Sequence, residues 1–483
     1  MEHDGFRAHP LADVEAQAAQ AEQRAGGAFA RVGRVSAANQ RKVIRAMQRA
    51  KVSETHFAGS TGYGYGDRGR EVLDEVFADV FGAEAALVRQ QITTGTQAIG
   101  LCLYGVLRPG DVLVSLAGKP YDSLEEMIGI RPSGAPRAAP KSYMKAMRSL
   151  QPDGHRGADA AGAGPQTHAG AGEGGAGQES HEYADAAGAD VGSLRDFGVG
   201  YREVALTASG KIDYDAARGA LCPRTKAVLV QRSRGYAWRD ALSVGEIADA
   251  AAFVKRLCPR AVVIVDNCYG EFVEEAEPSE AGADLVAGSL TKNPGGGLAP
   301  CGGYVAGKAE HVRKAACRLT APGLGGDVGA TLGAARQMFQ GLFLAPHVVG
   351  ESLKGAMFCA ALMEAEGYAV SPGVDSRRSD IIQAVRLGTE ERLVAFCQGI
   401  QKGSAVDSFI TPEPWLMPGY SHPVVMAAGS FVQGASIELS ADGPIKPPYV
   451  AYLQGGLVYE SVKMGCVAAL ENLREAAGRP QGT

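Results

Sequence analysis

A lysine set among hydroxyls and glycines is the first feature of this sequence that suits covalent chemistry. The run Gly288-Ser289-Leu290-Thr291-Lys292-Asn293-Pro294-Gly295-Gly296-Gly297 follows a short apolar stretch, Leu285–Ala287, so the lysine stands at the end of a rigid element. An amine fixed in that way can attack an aldehyde and hold it as an imine, while nearby hydroxyls suit phosphate oxygens and glycines admit close backbone approach. A second run, Val262-Val263-Ile264-Val265-Asp266-Asn267-Cys268-Tyr269-Gly270-Glu271, ends an apolar strand with an acid. Ligands of α/β sheets bind beyond the carboxyl ends of the strands, which is where this aspartate falls. In a third run, Thr93-Thr94-Gly95-Thr96-Gln97-Ala98, glycine and hydroxyls stand where a strand gives way to a helix. Backbone N–H groups and the helix dipole make such a turn a phosphate cradle.

Taken singly, each run also reads as ordinary structure: a lysine in a surface turn, an aspartate capping the next helix, a capped helix start. Their order and separation are more specific. An aldehyde-binding lysine, an acid able to keep a ring nitrogen protonated and a phosphate cradle together point to pyridoxal 5'-phosphate (PLP), carried as a Schiff base on Lys292. Asp266 then makes the ring an electron sink.

Further segments offer weaker signals. Gly62-Tyr63-Gly64-Tyr65-Gly66-Asp67-Arg68-Gly69-Arg70 contains a GxGxxG pattern. No strand precedes it, and Glu84 comes before an apolar run instead of ending one, so a dinucleotide site fails on context. Tyrosines and arginines in such a loop fit phosphate binding better, with a plain surface turn as the alternative. Tyr121 follows a strand and suits stacking on a cofactor ring, or simple packing. Arg232 and Arg234 also follow a strand; with Arg378 they are candidates for a substrate carboxylate, or for holding loops to nearby acids.

These residues need a scaffold of alternating strands and helices. Ala85–Val88 is a short apolar run, Val112–Leu116 reads as a strand, and the β-branched runs Ala227–Val230 and Val262–Val265 read as buried parallel strands, while Val72–Phe81, Thr93–Leu107 and Val244–Leu257 read as helices. The expectation is an α/β fold with a large, mostly parallel-sheet domain and a smaller C-terminal α+β domain. The expected division is a helical arm over 1–55, a large domain over 56–355 and a small domain over 356–483. The small domain carries strand-like pieces at Ala369–Val370 and Asp380–Val385 and a last helix over Tyr459–Leu473. A low-complexity stretch within 131–191, rich in Ala, Gly, Asp, Glu and His, reads as a disordered surface insertion.

The 483 residues, 46% hydrophobic and 21% charged, are ordinary globular composition. A net charge of −5 lacks the basic bias of a nucleic-acid binder. No apolar run is long enough to span a bilayer, and the N-terminus lacks a signal-peptide core, so the expectation is a cytoplasmic protein without a membrane partner. The nine cysteines show no CxxC pair or zinc spacing and read as reduced thiols, with no metal site expected.

Together the segments Thr61–Arg70, Phe81–Asp122, Val230–Trp238, Val265–Glu271, Gly288–Gly303 and Phe396–Gly456 resemble the methionine gamma-lyase-like family, also known as aluminium-resistance proteins. Two motifs stand out in the last segment: Pro412-Glu413-Pro414-Trp415-Leu416-Met417-Pro418-Gly419-Tyr420, and the stretch from Gln433 to Pro444 that contains Glu438-Leu439-Ser440-Ala441-Asp442-Gly443. The resemblance implies the PLP-dependent transferase fold type I (aspartate-aminotransferase-like). It implies a lyase that breaks a carbon–sulphur bond of an amino acid at the beta or gamma carbon, giving a 2-keto acid, ammonia and a thiol. Halide elimination, gamma-replacement, transamination, or a non-catalytic role in metal tolerance are the alternatives. It assigns the Schiff base and proton shuttling to Lys292 and the pyridinium contact to Asp266. The phosphate falls to Ser289, Thr291, Gly95, Thr96 and Gln97, and stacking to Tyr121. Tyr63 or Tyr65 with Arg68 or Arg70 would reach in from a neighbouring subunit, implying a homodimer or a homotetramer built from two dimers. The sequence departs from the family at Gln97, where histidine is usual, at Gly66, where a second acid is usual, and at Lys446, where arginine is expected.

Overall fold

The protein is described by a computed structural model over residues 10–130, 191–416 and 422–478. Almost all of the low-complexity stretch within 131–191, and positions 417–420 of the proline–tryptophan segment, lie outside the described residues.

Seven strands form the main sheet: β1 (Ala85–Arg89), β2 (Val112–Ser115), β3 (Gly200–Glu203), β4 (Thr225–Gln231), β5 (Val262–Asp266), β6 (Leu285–Ser289) and β7 (Gly303–Gly307). Their order is β1-β7-β6-β5-β4-β2-β3; β7 runs antiparallel to both neighbours and the other pairings are parallel. The strands are apolar on both faces because both faces are covered. Val114, Val228, Val230, Val263, Val265 and Val286 enter one core. The alternate positions Leu113, Leu229, Ile264, Leu285 and Val305 enter the other. Burying each such side chain stabilises the fold by roughly 1.5–3 kcal/mol.

The second face is covered by α3 (Gly95–Val106), α4 (Asp122–Ile128) and α7 (Ala309–Leu319). The first is covered by α2 (Arg68–Val80), α6 (Val244–Leu257) and the long α8 (Ala335–Ala365), while the short α5 (Tyr214–Ala220) leads into β4. Local chemistry fixes the helix starts. Thr94 Oγ1 accepts from the Gln97 amide at the head of α3, and Ser243 forms a capping box with Glu246 at the head of α6.

A smaller antiparallel sheet follows, ordered β10-β11-β12-β9-β8, from β8 (Ala369–Ser371), β9 (Gln383–Arg386), β10 (Val424–Ala428), β11 (Ser440–Pro444) and β12 (Val450–Gln454). The helices α9 (Glu390–Lys402) and α10 (Tyr459–Gly478) accompany it. The first described element is α1 (Pro10–Arg49), a 40-residue helix. Its buried stripe, Val14, Ala18, Ala21, Ala25, Ala28 and Val32, repeats at alternating steps of four and three, the spacing of one helix face. The helix is tied to the far end of the chain: Gln17 Nε2 donates to Glu366 at 2.6 Å, and Lys463 Nζ pairs with Glu22 at 2.6 Å.

Candidate active site

The carboxyl ends of β4, β5 and β6 lie side by side, Gln231 against Asp266 and Asp266 against Ala287. The turn beyond β6 brings Lys292 to the same edge, and the start of α3 supplies Thr94, Gly95 and Thr96. The small sheet closes the other side with Met426, Ser440, Asp442 and Gln454. Together they enclose a cleft of about 380 Å³. Lys292, Asp266, Gly95, Thr96, Ser289, Thr291 and Tyr121, all singled out in the sequence, line it.

The loop holding Lys292 is fastened to both sheets. Ser289 Oγ lies 2.8 Å from Thr291 Oγ1, which donates to the Ala435 carbonyl at 3.1 Å, and the Ile437 amide donates to the Thr291 carbonyl at 3.0 Å. Lys292 Nζ sits 4.1 Å from the centre of the Tyr269 ring. Tyr269 has a left-handed backbone, φ 70°, in the turn just after Asp266, and strain in a non-glycine residue of this kind concentrates at functional sites.

Burial works on every charge here. It lifts the Asp266 carboxyl above the usual range, against the pull of the Lys292 ammonium and the hydrogen bond from Cys268. The Cys268 amide donates to Asp266 Oδ1 at 3.1 Å. Burial disfavours the Lys292 ammonium, but Cys268, Tyr269, Asp266 and Glu271 around it prevail and hold it above the ordinary lysine value. Glu271, fully buried, accepts from the Tyr304 hydroxyl at 2.9 Å.

Several expected site residues lie elsewhere. Gln97 turns back to its own helix cap, its carboxamide oxygen accepting from Thr93 N at 2.8 Å and Oγ1 at 2.9 Å. The arginines fall on the wrong side of an alternation: Gln231, Ser233 and Gly235 line the cleft, whereas Arg232 and Arg234 point away. Arg232 is held by Glu274 at 3.0 Å and Asn267 at 2.8 Å, and Arg234 donates to the Ser371 carbonyl at 2.7 Å. Arg378 donates to Gln383. Arg70 is buried and donates to the carbonyls of Gly64, Gly329 and Asp327, bracing the glycine-rich loop. Tyr63 and Tyr65, 71% and 66% exposed, stack on each other at the surface beside the exposed Arg68. None of the four lines the cleft of its own chain.

The sequence analysis missed Tyr236, Tyr269, Met426, Asp442 and Gln454 as cleft residues. Tyr236 and Asp442 fall within segments already quoted, but only the fold shows that they meet: the Tyr236 hydroxyl donates to Asp442 Oδ2 at 2.8 Å.

The sequence profile described as methionine gamma-lyase matches residues 14–147 and 179–474. The chain belongs to the methionine gamma-lyase family. Among its relatives, the uncharacterized protein YnbB of Bacillus subtilis is 46% identical over 449 residues, spanning 93% of this chain and 94% of that protein. The crystal structure of a carbon–sulfur lyase involved in aluminum resistance from Clostridium novyi superposes with a TM-score of 0.80 at 40% identity, covering 95% of each chain. At 16% identity the pyridoxal-5'-phosphate-dependent YhfS of Escherichia coli (TM-score 0.54, covering 92% of this chain and 96% of that one) shares the fold. That fold is the PLP-dependent fold type I anticipated from the sequence.

The cleft fits the cofactor that this fold carries. Asp266 presents a buried carboxylate, Lys292 an amine at the same sheet edge, and α3 begins at Gly95, where first-turn amides lack partners within the helix. A Cβ on Gly95 would stand 2.9 Å from Cys268 Sγ, so a larger residue would crowd this turn against Cys268. Among the described residues no cluster of His, Cys, Asp or Glu is placed to hold a metal ion, and no helix is long and apolar enough to cross a membrane.

Proposed function

We propose that this chain is a PLP-dependent carbon–sulphur lyase acting on a sulphur-containing amino acid. The observation that carries the reading is the placing of a half-buried lysine, Lys292, and a buried carboxylate, Asp266, in one cleft at the carboxyl edge of one parallel sheet. The Clostridium novyi relative, itself a carbon–sulfur lyase, supports the choice of bond.

Bound in this cleft, PLP supplies an aldehyde for imine exchange and an electron sink for charge at the substrate α carbon. Lys292 would hold the cofactor through its amine, and the same amine would take the proton from the substrate α carbon. Asp266 holds the proton on the ring nitrogen, a task suited to a buried carboxylate facing a cation. Ser289, Thr291 and the amides of Gly95 and Thr96 bind the phosphate, and Tyr121 lines the wall where the ring would lie. The small sheet closes over these groups and limits water around the reacting carbon. The exposure of Tyr63, Tyr65 and Arg68 supports a homodimer, or a pair of dimers, in which they serve the partner's cleft.

The test is the visible spectrum of the purified protein before and after L-cystathionine or L-methionine. A yellow band that shifts with amino acid and is lost in Lys292→Ala, with 2-keto acid and thiol released, is the expected result. A protein that stays colourless with added PLP would overturn it.

A further inference from the structure

One short motif occurs twice in the sequence, as Leu221-Cys222-Pro223-Arg224 and as Leu257-Cys258-Pro259-Arg260. The fold gives both copies the same place. Each follows a helix, α5 or α6, and leads into a strand, β4 or β5. Each is a turn closed by its own backbone bond: the Thr225 amide donates to the Cys222 carbonyl at 2.8 Å, and the Ala261 amide to the Cys258 carbonyl at 2.9 Å. β4 and β5 are parallel neighbours with Ala227 opposite Val262, so the two turns lie side by side at the amino edge of the main sheet, away from the cleft. Neighbouring strands stand about 4.8 Å apart, within the Cα separations that a disulfide spans. Cys258 Sγ already lies 3.7 Å from the Cys222 carbonyl oxygen.

Both thiols are partly exposed, but their surroundings differ. Burial raises the Cys222 thiol, yet the Thr225 hydroxyl 3.6 Å from its sulphur, the Arg224 amide and the Arg202 guanidinium together prevail and hold it below the ordinary cysteine value. Arg202 is brought to this turn by its bond to the Ala220 carbonyl at 2.7 Å. Burial raises the Cys258 thiol, and Cys222 beside it raises it further. An accessible, stabilised thiolate with a second thiol at its side is the arrangement that oxidants attack. Cys359 and Cys466 also touch, but both are fully buried in the apolar core.

We propose that Cys222 and Cys258 are a peroxide-sensitive thiol pair that closes reversibly into a disulfide. The Cys222 thiolate attacks one oxygen of hydrogen peroxide; the O–O bond breaks, the sulphur becomes a sulfenic acid and hydroxide leaves. The Cys258 sulphur then attacks Cys222, the S–S bond forms, the S–O bond breaks, and the oxygen departs with the Cys258 proton as water. The proton given up by Cys222 neutralises the hydroxide, and the two sulphurs together supply the electron pair that reduces the peroxide. The new bond joins positions 36 apart. It ties the amino ends of β4 and β5, the strands whose carboxyl ends carry Gln231 and Asp266.

The full-length protein, wild type, Cys222→Ser and Cys258→Ser, is treated with hydrogen peroxide, denatured in excess iodoacetamide and mapped by peptide mass spectrometry. In the wild type the Cys222 and Cys258 peptides are expected to leave the alkylated pool together, to appear joined, and to return after dithiothreitol, while Cys359 and Cys466 stay alkylated. Cys258→Ser should stop at the first step, with Cys222 trapped by dimedone as a sulfenic acid. Cys222→Ser should leave Cys258 alkylated after the same exposure. The absence of a joined peptide from peroxide-treated wild type overturns the proposal. So does loss of the Cys258 thiol in Cys222→Ser as fast as in the wild type, or a Cys258→Ser chain whose Cys222 takes no dimedone. The joined peptide in the wild type decides alone if a variant does not fold. None of these outcomes depends on the lyase reading.

Discussion

Burial pushes the Glu271 carboxyl up to about 8, with Glu277 adding to the lift, while its own backbone amide, Tyr304 and Lys292 oppose it. Its Oε2 has no hydrogen-bond partner among the described residues. In the unfolded chain the same group titrates near about 4.3. Between those values the native state keeps a proton that the unfolded state releases, so the stability from this group is full at low pH and fades as pH rises towards 8. Glu271→Gln keeps the shape without the titration. The fall in unfolding free energy between pH 5 and 8, followed by urea denaturation, should be shallower in the variant than in the wild type. Equal slopes would mean that Glu271 is ionised throughout. Because Glu271 also bears on the charge of Lys292, the variant should lower the pH at which the lysine of cofactor-free protein becomes reactive to amine reagents.

The glycines after Lys292 act at the scale of elements. Gly341 on α8 lies against Gly295 so closely that a Cβ on Gly341 would stand 2.2 Å from the Gly295 carbonyl oxygen. Both atoms in that clash belong to backbone anchored in rigid structure. Gly341→Ala is expected to cost roughly 1–3 kcal/mol of stability, as overpacking does, and to move the lysine loop. Urea denaturation and the intensity of the bound-cofactor band measure the two effects; a neutral result in both would show that helix and loop can slide apart. Element by element, legibility followed chemistry. β4 and β5 were readable because β-branched residues fill strands buried on both faces, and β6 because the apolar run Leu285–Ala287 leads into the lysine motif. β7, Gly303-Tyr304-Val305-Ala306-Gly307, has glycine at each end and a single β-branched residue, and β11, Ser440-Ala441-Asp442-Gly443-Pro444, is fully buried without any apolar pattern. Asp266 stood out because it ends β5, and Lys292 because it stands just beyond the next strand, β6, among hydroxyls and glycines. Asp442 did not, because its place in the cleft depends on how the second sheet sits against the first, which no local pattern encodes. Arg232 and Arg234 lie just past the end of β4, where Ser233 and Gly235 face the cleft, and local spacing does not tell which of these neighbours turns inward.

At the scale of the whole molecule, the Tyr63–Tyr65 stack and Arg68 lie outside the cleft of their own chain, with Leu332 exposed nearby on the segment that pairs with the same loop. If Arg68 serves the partner's cleft, a mixture of Lys292→Ala and Arg68→Ala chains forms hybrid dimers with one intact site. About a quarter of wild-type activity should return after equal mixing and re-equilibration. No recovery would mean that both residues act within one chain. Sedimentation equilibrium should show a dimer or tetramer. The packing of α1 bears on events before any subunit meets another. Its ties to Glu366, Lys463 and Arg474 join residues 349 to 457 positions apart. During synthesis that helix leaves the ribosome more than three hundred residues before these partners. Residues made early thus settle late, and the nascent chain carries an unpaired apolar stripe while the intervening residues are made.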